Sequence, residues 1–402
     1  MSKSSTNEQH APTLSVPSPG TRRATRRARL AVAVLFFMEG FVAASWFVRI
    51  PQVKDRLGLS TGQLGISLLA LTVGLLLAMP LVGWLLTRTG SRLVARVMAL
   101  AFVVVPVLPV LAVNQVTLML GLALFGAVSG MLDVAINVQG SAVETHMRRP
   151  VMSSFHGMYS AGGIAGSAIG GGLAALGVSP RLHLFIVALV LGVLGSYVAR
   201  WLLPESPLTR NHGPMFARPT RVLLVLGIVA FCALLNEGAM SDWSAVYLRD
   251  IIGTNAGLAA AGFTVFSITM AVGRLSGDRL AARFGSPQLI RVGGVLSAFG
   301  LGISLIVPSL PVTLVGFACV GAGMSFVFPL VVSTASRSGR MAPGPAIAAI
   351  STAGYVGLMA GPSSIGLTAE LSSLRAALGI VVLLSLLVAV LARNVSDARQ
   401  PE

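Results

Sequence analysis

Residues 62–92 read GQLGISLLALTVGLLLAMPLVGWLLTRTGSR. No charged side chain interrupts 62–86. Coiled at about 1.5 Å per residue, that run outlasts the roughly 30 Å hydrocarbon core of a bilayer. Gly65, Gly74, Pro80 and Gly83 would break such a segment in water. In lipid the backbone has no other way to satisfy its N–H and C=O groups, so a helix tolerates them. The run stops at Arg88, and Arg92 follows across a short loop. The segment therefore predicts a transmembrane helix with a basic turn behind it.

The rest of the chain repeats this pattern. Of 402 residues 54% are hydrophobic and 10% charged, with mean hydropathy +0.84, whereas soluble domains carry about 25% charged residues. Apolar runs fall at about 30–49, 62–86, 93–113, 117–139, 153–177, 182–203, 222–247, 258–279, 290–308, 312–335, 344–367 and 375–393. These are called spans 1 to 12 below. The expected fold is an all-α integral membrane protein with twelve transmembrane helices in two pseudo-symmetric six-helix bundles. The bundles take residues 30–203 and 222–393. A basic, disordered N-terminal arm (1–29), a proline-rich cytoplasmic linker (204–221) and a tail (394–402) complete the chain.

A net charge of +16 could indicate nucleic acid. The basic residues punctuate the apolar runs instead, so no nucleic-acid partner is expected. With the N-terminus inside, cytoplasmic segments hold 22 of the 29 Lys and Arg. Six lie outside (Arg49, Lys54, Arg56, Arg181, Arg249, Arg375), and Arg274 lies within a span. That bias predicts a multi-pass protein of the cell membrane, the inner membrane of a bacterial-type cell, with both termini cytoplasmic. Arg22, Arg23, Arg26, Arg27 and Arg29 read as the orienting charge of span 1; Glu39 and the spans that follow argue against a cleaved signal. Cys232 and Cys319 have neither disulfide nor metal spacing. No cofactor, no Walker loop and no nucleophile–base pair is visible, so neither enzymatic chemistry nor ATP drive is expected.

The halves echo each other. Span 1 holds Glu39-Gly40, Ser45-Trp46 and Arg49, and span 7 holds Glu237-Gly238, Asp242-Trp243 and Arg249. Gly83, Arg88, Gly90 and Ser91 after span 2 match Gly277, Arg283, Gly285 and Ser286 after span 8. Repeated halves are how many carriers place a site at the bilayer midplane. The loop after span 2 resembles that of the major facilitator superfamily, whose pattern is glycine, three residues, aspartate, a basic residue, one residue, glycine and further basic residues. Gly83, Arg88, Gly90 and Arg92 keep it; Thr87 stands where the acid is expected, and Ser91 departs too. GFVAASWFVRIP, LDVAINVQGSAVE, SSFHGMYSAGG and EGAMSDWSAVYLRD are similar to a bacterial subgroup of that superfamily. The resemblance implies a major facilitator fold and alternating access for a small-molecule solute. Gly83, Arg88, Gly90 and Arg92 become gating or structural candidates, with Arg274 and Asp278, one turn apart and spaced to pair.

Carboxylates near the membrane centre are costly, about 3 kcal/mol each, and mark function. Glu39 and Asp133 lie near mid-depth on spans 1 and 4, similar in position to the acids of the superfamily's fucose/proton symporter. That likeness implies that they handle a proton or substrate; the alternative is a neutral packing carboxyl. Asn137, one turn from Asp133, and His156, early in span 5, join them, His156 as a relay or a plain helix–helix contact. Asn236 and Glu237 extend the set on span 7, with Glu237 in the outer third or deeper if the repeat is real. Asp242 is expected at a solvated helix end or paired with Arg249, and Trp46 and Trp243 as interfacial anchors. The span 5 glycines read as packing surfaces; the antiporter-type glycine–proline of that span is missing, and Gly361-Pro362 occurs on span 11 instead. The reading is a proton-coupled secondary transporter, expected to be a monomer in the lipid bilayer. Import of a polar metabolite and proton-driven efflux of a drug or secondary metabolite both stay open, with a non-transporting membrane sensor as a remote third.

Overall fold

A computed structural model describes residues 19–59, 61–204, 220–254, 256–338 and 341–395. The linker and the C-terminal tail fall almost wholly outside these, as does the arm up to residue 18. From Pro19 onward the arm is not disordered. Span 1 is one helix, Pro19–Phe47, and the expected boundary at 29 is corrected: Arg22 to Arg29 ride on helix that projects beyond the apolar run.

The other spans are the helices Thr61–Thr89, Ser91–Leu111, Gln115–Met147, Met152–Ala175, Pro180–Val198, Arg221–Asp250, Ala256–Phe284, Ser286–Ile306, Leu310–Ser336, Pro343–Leu371 and Leu374–Leu391. Two of them are interrupted. Span 3 breaks between Val104 and Val107 at Pro106, and span 10 between Met324 and Val327. Pro329 removes the N–H that the Ser325 carbonyl would receive one turn back. Polar caps start several spans: Asn114 accepts from the Thr117 N–H in a capping box, and Ser179, Thr220 and Ser373 cap spans 6, 7 and 12. A short helix, Ile50–Leu57, links spans 1 and 2.

Ten of these helices are long and apolar enough to cross a membrane by length and composition. The two that fall short are spans 5 and 8. They form one of the two seams between the halves; one is rich in glycine and the other carries Arg274, Asp278 and Arg279.

Within the first half, span 1 packs on span 5 and span 2 on span 4; within the second, span 7 packs on span 11 and span 8 on span 10. The seams between halves are span 2 on span 11 and span 5 on span 8, exchanged by the same pseudo-two-fold. Glycines make the tight contacts possible. A Cβ at Gly162 would collide with the Phe37 carbonyl, one at Gly166 with Phe41, and one at Gly357 with Phe231. The inter-span loops repeat as well: Gly90 (φ 84, ψ 155) and Gly285 (φ 80, ψ 151) each precede a helix start in a left-handed conformation open mainly to glycine.

Candidate functional site

Between the halves lies a cavity of about 1300 Å³ including its mouth. Spans 1, 2, 4 and 5 line one side, spans 7, 8, 10 and 11 the other, and none of its lining residues comes from spans 3, 6, 9 or 12. It runs from Phe47, at the end of span 1 remote from the chain termini, to His156 in the second turn of span 5.

Toward the face that carries the ends of spans 1 and 12, called the terminal face, the halves close on each other. Ser141 of span 4 donates to Ser336 of span 10 at 2.5 Å. The Glu144 carboxylate accepts from the Val151 N–H at 3.0 Å and from the Ser333 hydroxyl. Gly83 faces Pro345 and Ala348, and Leu86 abuts Gly344. Asp278 does not pair with Arg274 as their spacing implied. Its carboxylate reaches across to the start of span 5, accepting from the Ser153 and Ser154 N–H groups at 2.8 and 2.9 Å and from the Ser154 hydroxyl. Those are free N–H groups of a first helical turn, so Asp278 caps a helix of the other half.

Arg274 takes another acid. Its Nη2 contacts both oxygens of Glu237 at 3.1 and 2.9 Å, while Nη1 donates to Ser160 of span 5 at 3.1 Å. Asp278, one turn away, is engaged with the start of span 5 instead.

Glu39 and Asp133 line the same cavity, 4% and 6% exposed, and the Asp133 charge reaches Glu39. Asn137 donates to Asp133 Oδ1 at 2.9 Å, and His156 Nε2 lies 3.2 Å from Asn137 Oδ1. Asp133, Asn137 and His156 thus form one chain from span 4 to span 5. Phe36 and Phe328 hold the imidazole by ring contacts at 5.0 and 5.8 Å. The Tyr355 hydroxyl of span 11 approaches Asp133, and Tyr159 stands near Glu39, Glu237 and Arg274. Glu39 Oε2 and Asp133 Oδ2 are buried without a hydrogen-bond partner among the described residues. A buried carboxylate oxygen left bare is expensive.

Other expectations need correction. Asn236 does not line the cavity; it donates to Ser385 of span 12 at 3.0 Å inside the second bundle. Trp46 is 1% exposed, core rather than interfacial anchor. Of the two alternatives for Asp242, the exposed one holds, since Arg249 pairs with its neighbour Asp250 at 2.6 Å. In the loop after span 2, Arg88 lies over the Trp84 ring at 5.7 Å and Arg92 donates to the Arg200 carbonyl at 3.2 Å. Sequence reasoning missed Glu144, Tyr159 and Tyr355. The interruption of the apolar run at Glu144 was legible, but its partners come from span 10.

The family model described as the Major Facilitator Superfamily matches residues 30–344 and, in a second match, 226–402. The chain belongs to the major facilitator superfamily. Among similar members, an uncharacterized MFS-type transporter of Yersinia pestis is 37% identical over 92% of this chain and 96% of its own. Membrane protein MosC of Rhizobium meliloti is 33% identical, covering 89% and 88%. The fold is shared with FucP in the outward conformation (TM-score 0.79, 17% identity, 94% of this chain and 100% of that one). It is also shared with the human organic anion transporter MFSD10 (TM-score 0.71, 16% identity, 93% and 100%). A superfamily transporter with its cavity between the halves is what the geometry already described.

Proposed function

We propose that the chain is a proton-coupled secondary transporter that moves a small organic solute by alternating access, with Glu39 and Asp133 as the proton site. The observation that carries this is the pair itself: two buried carboxyls lining the central cavity, Glu39 Oε2 and Asp133 Oδ2 each lacking a hydrogen-bond partner among the described residues, with the Tyr355 hydroxyl approaching Asp133. Glu237, by contrast, has its charge met by Arg274. Two negative charges buried in one cavity need a cation, and a proton is the smallest. Asn137 and His156 extend the hydrogen-bonded path from that site.

The terminal face is cytoplasmic on the bias of basic residues, so the closed gate lies inside and the cavity faces out. The protein works as a monomer in a bacterial-type inner membrane. FucP of E. coli is a fucose:proton symporter, which favours import of a polar metabolite. Efflux of a drug or secondary metabolite is the second reading, favoured by the Phe36, Phe47, Phe125, Phe328 and Met359 side chains that make much of the wall apolar.

The test is uptake and release of candidate solutes by proteoliposomes under an imposed pH gradient. Flux is expected to collapse with an uncoupler, and Glu39→Gln to lose gradient-driven accumulation while still inserting in the membrane. Accumulation indifferent to the uncoupler would remove the proton from the mechanism.

A further inference from the structure

The projecting start of span 1 contradicts simple helix electrostatics. Its first turn has no acid, and Arg22, Arg23 and Arg26 crowd the positive end of the helix dipole, where cations are unfavourable. Arg22 and Arg26 also repel each other one turn apart. The sequence from Pro19 to Leu30 offers no carboxylate in compensation.

The turn between spans 4 and 5 makes the crowding worse. Arg148 and Arg149 come from a distant part of the chain to join Arg22 and Arg26 around one pocket of about 910 Å³ on the terminal face, and none of the seven residues lining it is acidic. Arg148 takes φ 51, the one non-glycine among the described residues in the left-handed region. The two acids near this turn are engaged elsewhere: Glu144 with Val151 and Ser333, Asp278 with the start of span 5. Four guanidiniums converge, and among the described residues no anion answers them.

The pocket stands at a definite depth. The apolar part of span 1 begins at Leu30, one turn beyond Arg26 on the same helix face, and Leu30 is 54% exposed. Span 5 begins at Met152, just after the turn. The pocket is therefore level with lipid phosphates, with a bare apolar side chain leading from it toward the acyl layer. We infer that this pocket binds the phosphodiester headgroup of an anionic lipid of the adjoining leaflet. Guanidinium matches phosphate oxygens by paired N–H donors, and basic pockets at this level attract such headgroups. A bound phosphodiester would tie the projecting helix of span 1 to the turn that leads into span 5.

The experiment uses the full-length protein purified in detergent, titrated with phosphatidylglycerol or phosphatidylcholine and read by native mass spectrometry. Wild type is expected to retain phosphatidylglycerol in preference. The pairs Arg22→Gln with Arg26→Gln, and Arg148→Gln with Arg149→Gln, should each bind it roughly thirtyfold more weakly, since each basic residue near the surface is worth about 1 kcal/mol. The matching Lys pairs keep the charge and should keep most of the binding, which separates loss of the site from loss of the fold. Retention equal to wild type in both Gln pairs overturns the site. Equal retention of phosphatidylcholine overturns the requirement for an anion. Complete displacement by millimolar inorganic phosphate overturns the lipid as its source.

Discussion

A guanidinium deep in a helix bundle needs its charge answered, and Arg274 is answered by Glu237 on one side and the Ser160 hydroxyl on the other. Removing one member of such a pair strands the other's charge, at a cost of about 3–5 kcal/mol where burial is complete. Here the Glu237 side chain is 27% exposed, so the cost is smaller. Arg274→Gln is expected to lower the melting temperature of the purified protein, and Glu237→Gln added to it should recover part of the loss. A double variant less stable than Arg274→Gln would refute the pairing as the reason. At this scale the sequence was a partial guide. Glu39, Asp133, Asn137 and His156 could be picked out because polar residues are rare in apolar runs and helical spacing says which share a face. The partners of Arg274 and Asp278 could not be read, because the acceptors for Arg274 and the donors for Asp278 come from spans 5 and 7 and only the assembled bundle ranks them.

Among the elements, the span 5 glycines divide by what they meet. Gly162 and Gly166 lie against the span 1 backbone, while Gly171 and Gly172 have open space beside them. Gly162→Ala should therefore destabilise by about 1–3 kcal/mol through overpacking, and Gly172→Ala should be neutral or gain up to about 1 kcal/mol of helix propensity. Denaturant titration of the two variants in detergent checks this; equal effects would mean that the contact with span 1 is not tight. The spans themselves were legible, since length and apolarity are local properties. The helical start of span 1 was not: five arginines read as a solvated arm, and the Thr25 and Ala28 side chains that bury it against the bundle look unremarkable in isolation.

Across the whole molecule, the proposed alternating access requires the terminal face to open. The Cβ of Ala348 lies 3.6 Å from where a Cβ at Gly83 would stand, within the range that a disulfide spans. Gly83→Cys with Ala348→Cys should bolt the span 2–span 11 seam: oxidation is expected to stop solute flux in proteoliposomes and a reductant to restore it. Undiminished flux from fully cross-linked protein would show that this seam need not part. The two seams also differ in kind. At span 5–span 8 a carboxylate grips the free N–H groups of a helix end. At span 2–span 11 Thr87 turns its hydroxyl to its own Trp84 carbonyl, and the facing helix opens with Pro343 and Pro345, which have no N–H to offer. The acid is thus missing together with all but the Gly344 N–H of the donors it would meet, and Leu86 packs on Gly344 there. Apolar association weakens on cooling, whereas a charged hydrogen bond does not depend on it. The closed terminal face is therefore held by two kinds of contact that respond differently to temperature: chilling slackens the proline side first and leaves the polar ties of Asp278, Glu144 and Ser141 across the halves.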